Sequence, residues 1–262
     1  MKKTLTVSRR TTFKLGIGAV GAATSTALVA NVCGTKTGPQ PLGPFFPNRG
    51  TMTKIIREDQ NPNTPIYLAN DADLTFIEGT NGQANGQVVY IKGKVTGGNC
   101  EPLANATIVI WQASHSGKYN HNGDGDNSTF RHPKTGELIR RKLDPNFQFW
   151  GKAVTDSTGN YLFKTIVPGF YPADLQGGWF RPPHIHLMVT ALGHQQFVTQ
   201  MYFTGKIANN EFVQELNAKD GLLQSRSISE EQRKKLVVDF QDDPSGQFVD
   251  GQLGTFDMQL PS

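Results

Sequence analysis

Apolar and polar positions alternate through Val89-Tyr90-Ile91-Lys92-Gly93-Lys94-Val95, the two-residue period of a half-buried strand. After a Gly97-Gly98-Asn99 turn, the β-rich run Ala106-Thr107-Ile108-Val109-Ile110-Trp111 predicts a second strand. Further strands are predicted at 161–166, 184–191 and 197–203. Asp156-Ser157-Thr158-Gly159-Asn160, Pro168-Gly169 and Gly193-His194 separate them, with residues that turn easily because glycine tolerates positive φ and Asp or Asn bonds nearby backbone. Ser229-Glu230-Glu231-Gln232 has the form of a capping box and predicts a short helix ending near Phe240. Alternation in Phe256-Asp257-Met258-Gln259-Leu260 predicts a last strand. Short strands, Gly/Pro turns and little helix predict an all-β fold, a β-sandwich with an extended N-terminal arm, long loops and a short C-terminal helix.

Three stretches lack either period. Residues 31–75 are rich in Pro, Gly, Asn and Thr, with Gly43-Pro44-Phe45-Phe46-Pro47 as one apolar knot, and are read as an arm because proline removes donors and blocks helix. The polar stretch between Gly117 and Trp150, dense in Asn, Asp and Gly from Asn120 to Asn127, is a loop long enough to be functional or a cover. Residues 1–30 carry Lys2, Lys3, Arg9, Arg10 and Lys14 ahead of a mild Gly/Ala-rich segment, the composition of a removable targeting segment. Ser8-Arg9-Arg10-Thr11-Thr12-Phe13-Lys14 resembles a twin-arginine export signal, which implies a periplasmic or secreted protein. The expected organisation is a signal at 1–30, an arm at 31–75 and a β-sandwich domain at 76–262.

Charge changes meaning once that segment is set apart. The whole chain of 262 residues carries a net +4, but its first thirty residues hold five Lys/Arg and no acid, which leaves the remainder at −1. The basic balance therefore belongs to the targeting segment and argues against a nucleic-acid partner. The apolar part of that segment is shorter and richer in Gly and Ala than a membrane span, so no stable membrane insertion is expected after its removal. Cys33 and Cys100 are the only cysteines, too few for a disulfide scaffold, although export would permit one bridge.

Chemistry concentrates at Arg181-Pro182-Pro183-His184-Ile185-His186. A His-x-His pair on a strand presents both imidazoles on one face, where they can share zinc, copper or iron. Ferric iron is a hard cation that favours anionic oxygen with imidazole beside it, and tyrosine supplies such an oxygen once the metal has displaced its proton. Tyr119 and Tyr171 each stand just beyond a predicted strand, where a rigid scaffold holds residues that reach into a mouth. His115, His121, His132 and His194 fall in polar segments and are read as solvated.

Taken together, Trp111-Gln112-Ala113 with Gly117-x-Tyr119, Asp144-Pro145-Asn146-Phe147, Thr155-Asp156 with Gly159-x-Tyr161-x-Phe163, Thr165-Ile166-x-Pro168-Gly169-x-Tyr171, Arg181-Pro182-x-His184-Ile185-His186 and Thr199-Gln200-x-Tyr202-Phe203 resemble the intradiol ring-cleavage dioxygenases. The resemblance covers about Gly93 to Phe203, with a further match at Gly43–Phe46. It implies Fe(3+) held by Tyr119, Tyr171, His184 and His186, with Arg181 over the bound ring and Gln200 near the ligands. Tyr171 would leave the metal as a catechol-type substrate chelates it. Dioxygen would be the cosubstrate and a cis,cis-muconate-type diacid the product. A homo-oligomer is also compatible with the family.

One departure bears on the substrate. Where the family's arm often reads Thr-Pro-x-Gln-x-x-Gly-Pro-Tyr, this chain has Thr37-Gly38-Pro39-Gln40-Pro41-Leu42-Gly43-Pro44-Phe45. Pro41, Leu42 and Phe45 are apolar, and a substrate carboxylate left there without a donor is costly, which argues against protocatechuate. Two other classes share parts of the pattern. Prealbumin-like sandwich modules that bind ligands without catalysis have similar strand and turn motifs but do not need Arg-Pro-x-His-x-His. A secreted zinc or copper protein would use His184 and His186 alone.

Overall fold

The computed structural model describes residues 35–46, 71–121, 123–125 and 128–261. The expected signal at 1–30 and residues 47–70 of the expected arm lie outside them. The strands are β1 (Val88–Thr96), β2 (Thr107–Gln112), β3 (Thr129–Arg131), β4 (Leu138–Arg140), β5 (Trp150–Val154), β6 (Asn160–Ile166), β7 (Tyr171–Asp174), β8 (Trp179–Arg181), β9 (His184–Thr190), β10 (Phe197–Gly205), β11 (Val237–Asp242), β12 (Gln252–Thr255) and β13 (Met258–Gln259). The helices are α1 (Asn210–Lys219) and α2 (Glu230–Leu236).

The all-β expectation holds, in a nearly closed nine-stranded sheet with two small two-stranded sheets, β3–β4 and β7–β8, beside it. Its hydrogen-bonded order is β5-β2-β9-β10-β11-β12-β1, with β6 on the other side of β1 and β13 against the end of β1. The β1–β12, β1–β13 and β10–β11 pairs are parallel and the others antiparallel. Residues 71–74 bridge the two edges. Lys152 N donates to Asp71 O (2.8 Å) beside β5, while Lys164 N donates to Ala72 O and Leu74 N to Lys164 O (both 2.8 Å) on β6. Leu74 is fully buried at that closure. An edge strand leaves unpaired donors and acceptors, and this short segment satisfies part of both edges.

Segment 35–46 contains no strand or helix and runs against β10 and β13. Thr37 N donates to Gln259 O (3.2 Å), Gln40 N to Val198 O (3.0 Å) and Thr199 Oγ1 to Gly38 O (2.7 Å). Cys100 is disulfide-bonded. Among the described residues, no helix is long and apolar enough to cross a membrane.

Candidate metal centre

β9 sets the histidines. Ile185, Leu187 and Val189 are fully buried in the core, so the two-residue period sends His184 and His186 to the opposite face. Register adds their neighbours: Gln200 of β10 and Trp111 of β2 lie across from His186, and Tyr202 of β10 lies across from His184. Tyr119 arrives from the loop after β2. Gly117 in that loop has φ +79°, and a Cβ there would sit 2.4 Å from the Phe170 carbonyl oxygen. Only glycine permits this approach, which brings the Tyr119 loop against the turn that delivers Tyr171.

The result is a tight triangle. The Tyr119 hydroxyl lies 3.3 Å from His184 Nε2 and 3.2 Å from His186 Nε2, and the two imidazole nitrogens are 3.2 Å apart. His184 Nδ1 lies 2.7 Å from the Pro182 carbonyl, which can only accept, so Nδ1 carries the proton and Nε2 presents a bare lone pair. Tyr171 stands beside the triangle, its ring centre 5.6 Å from that of Tyr119 and 5.7 Å from that of His184. All four side chains are buried.

Burial dominates the electrostatics. It pushes the Tyr119 phenol well above its ordinary range; Tyr171 adds to the shift and Arg181 opposes it. Tyr171 is likewise raised by burial and opposed by Arg181. Burial and then the Arg181 charge hold His184 and His186 far below the usual imidazole value, so both are neutral at pH 7. Two neutral imidazoles and two phenols, converging with too few protons for their lone pairs, form a donor set that a cation would complete. The two oxygens make that set hard, which suits ferric iron. Among the described residues, no three of His, Cys, Asp and Glu converge on a metal position, so a cation held here would need the tyrosine oxygens beside the two imidazoles.

A buried polar network backs the triangle. Arg181 donates from Nε to Asp220 Oδ2 (2.7 Å) and from Nη2 to Gln200 Oε1 (2.6 Å) and the Tyr202 hydroxyl (3.2 Å). Gln200 Nε2 donates to Pro41 O (2.9 Å), tying the network to the N-terminal segment. On the other flank, Asp124 Oδ2 accepts from Tyr119 N (2.7 Å), and Arg141 Nη2 donates to both Asp124 oxygens (2.7 and 2.6 Å). The Arg141 guanidinium lies 5.4 Å from the centre of the Tyr171 ring.

The apolar knot covers the site, with Phe45 4.5 Å from the Tyr119 ring centre and Phe46 4.8 Å from that of Trp111. A cavity of about 570 Å³ is lined by Trp179, Phe180, Phe212 and Leu216 with the charged Lys134 and Glu215, and by none of these site residues. Two of the histidines read as solvated are instead half-buried against aromatic rings: His121 against Phe45 (5.5 Å) and His132 against Phe212 (4.5 Å).

All six residues singled out in the sequence therefore meet in one region. Asp220, Tyr202, Asp124 and Arg141 were not singled out. Asp124 sits in a stretch where every residue is polar or glycine, and Asp220 follows a helix with no sequence signal of its own.

A family model described as dioxygenase matches residues 63–244. The chain is 34% identical over 147 residues to the protocatechuate 3,4-dioxygenase beta chain of Burkholderia cepacia, a match covering 54% of this chain and 57% of that protein. It is 29% identical over 156 residues to catechol 1,2-dioxygenase 2 of Acinetobacter lwoffii, covering 54% and 49%. The matches thus span about half the length of these curated relatives. Among solved structures, the dioxygenase domain of a dioxygenase carbohydrate-binding protein fusion from Streptomyces sp. SirexAA-E superposes with a TM-score of 0.51 at 24% identity, covering 87% of this chain and 99% of that one. An intradiol ring-cleavage dioxygenase from Tetranychus urticae gives 0.50 at 22%, covering 87% and 95%. The chain belongs to the intradiol ring-cleavage dioxygenase family.

Proposed function

We propose that this protein is an exported dioxygenase that cleaves a catechol-type ring between its two hydroxylated carbons. One carbon–carbon bond breaks, both atoms of O2 enter the product, and a cis,cis-muconate-type diacid results. The observation that carries this reading is the Tyr119–His184–His186 triangle with Tyr171 beside it. Tyr119, Tyr171, His184 and His186 would hold ferric iron, whose Lewis acidity stabilises the two phenolates and draws electron density from a chelated diol.

The protein's own groups divide the remaining work. His184 and His186 are already neutral and give up no proton on ligation. Tyr171 lies beside the triangle, and its oxygen, which would hold the metal as a phenolate, would be placed to accept a proton from an incoming diol. Arg181 is a buried cation paired with Asp220 Oδ2 at 2.7 Å, and would stabilise negative charge developing on the substrate. Phe45 and Phe46, half-buried over Tyr119 and Trp111, would shield that face of the site from water. Their apolar character favours a ring without a carboxylate, whereas Pro41 and Leu42 are exposed to solvent.

Export rests on the basic, then Gly/Ala-rich, first thirty residues containing Arg9-Arg10, and on the disulfide at Cys100, which suits an oxidising compartment.

The test is a visible spectrum of the purified protein with metal analysis, followed by catechol without oxygen and then oxygen uptake. A broad tyrosinate-to-iron band that shifts with catechol, with oxygen consumed on admission of air, is the expected result. A protein that stays colourless and iron-free after reconstitution with ferrous or ferric iron would overturn the reading.

A further inference from the structure

We infer that Asp220 is a positioning residue of the site, acting through Arg181. The inference rests on the proposed ring-cleavage activity. Asp220 follows the last residue of α1 and is completely buried. Both its oxygens are engaged: Oδ2 accepts from Arg181 Nε at 2.7 Å, and Oδ1 accepts from Leu223 N at 2.7 Å, Leu222 N at 3.1 Å and the Tyr202 hydroxyl at 3.4 Å.

Helix stability does not account for a carboxylate here, because the C-terminal end of a helix carries partial negative charge and favours cations. The buried guanidinium does account for it. Arg181 is 5% exposed, and its other acceptors among the described residues, Gln200 Oε1 and the Tyr202 hydroxyl, are neutral. Without Asp220, a desolvated cation would lie near Tyr119 and Tyr171 and be drawn toward their oxygens. Two backbone donors clamp the carboxylate, the carboxylate fixes Nε, and Nη2 is thereby committed to Gln200 and Tyr202. The loop at 220–223 thus sets the plane of the guanidinium.

The experiment compares iron-loaded wild type, Asp220→Asn, Asp220→Glu, Arg181→Lys and the Asp220→Asn/Arg181→Lys double variant, reading iron content, the visible band, anaerobic catechol titration and kcat. Asp220→Asn is expected to keep iron and band, since no ligand changes, while kcat falls roughly ten- to a hundredfold, the scale of a misplaced catalytic group. In the Arg181→Lys background, the same change should cost less than about twofold, because the effect passes through Arg181. Asp220→Glu keeps the charge but moves it by one methylene, and should retain the band with kcat between the other two. Multiplying losses in the double variant, or wild-type kcat in both Asp220 variants, would overturn the inference. Should Asp220→Asn fail to fold, Asp220→Glu decides alone: wild-type kcat refutes positioning, and reduced kcat with an intact band supports it. A wild type with neither band nor oxygen uptake overturns the proposed activity, and this inference with it.

Discussion

Trp111 and His186 lie face to face across the β2–β9 register, ring centres 4.8 Å apart and 12° from parallel. His184 is oriented by a hydrogen bond to Pro182 O, but His186 Nδ1 has no partner among the described residues. The indole therefore does for His186 what a hydrogen bond does for His184. Trp111→Phe keeps an aromatic face and should retain iron but lose it faster to a chelator. Trp111→Ala should also destabilise the fold by about 3–5 kcal/mol through lost burial and a residual cavity. Chelator competition followed at the visible band, alongside urea denaturation, checks both; equal iron release in wild type and Trp111→Phe would refute the role.

Gly43 closes the site from the other side. Its φ is +76°, and a Cβ there would sit 3.0 Å from His186 Cε1. Gly43→Ala should lower stability by roughly 1 kcal/mol from backbone strain. The added methyl should also press on the imidazole and shift the tyrosinate-to-iron band. Gly43→Val adds a branched side chain and should go further, reducing iron content. Unchanged melting and spectra in both variants would mean that segment 38–46 yields freely.

These contacts mark the boundary of what the sequence made legible. β1, β2, β9 and β10 could be read because their alternating or continuous apolar runs follow directly from which face is buried. The Ser229/Gln232 capping box was equally plain and is formed as read. The helix nevertheless stops at Leu236 and not near Phe240, because the β-branched pair Val237-Val238 turns to pair in parallel with Tyr202 and Phe203. α1 escaped notice: Asn209 ahead of it is left-handed and offers no side-chain cap. Of the last strand read at 256–260, only Met258–Gln259 forms one (β13), and β12 at Gln252–Thr255 went unread. In the site, motif order pointed to Tyr119, Tyr171, Arg181, His184, His186 and Gln200. Asp220 remained invisible because its role is defined by a partner 39 residues away, met only in the folded chain.

Closure of the sheet depends on few atoms. Leu74 is fully buried where residues 71–74 bond to β6 and to the chain at β5, and Gln148 N also donates to its carbonyl (3.1 Å). Leu74→Ala should cost about 2–5 kcal/mol, as for other buried leucines. Amide exchange should rise at Lys164 and Lys152, whose N–H groups bond to this segment, more than in β9 and β10 across the molecule. A uniform rise, or none, would show that the closure does not open locally.

Acid should act on the β5–β6 turn. Asp156 accepts from Thr158 N (2.8 Å), Thr158 Oγ1 (2.8 Å) and Asn160 N (2.9 Å) through Oδ1, and from Asn160 Nδ2 (3.1 Å) through Oδ2. Its backbone bond from Asn160, opposed by a smaller burial cost and reinforced by Thr158, lowers its pKa from 3.8 to about 2. Because the folded value lies below the unfolded one, the unfolded chain takes up the proton first. The contribution to stability is complete above the unfolded value and disappears as pH falls through about 2. Solvent screening at so exposed a carboxylate limits it to about 1 kcal/mol or less. Asp156→Asn should therefore be less stable than wild type at pH 6, with the gap narrowing toward pH 2 as protonation of the wild-type carboxyl removes the same charge. Urea midpoints for both proteins across that range check this, and a gap independent of pH would assign the effect to turn geometry alone.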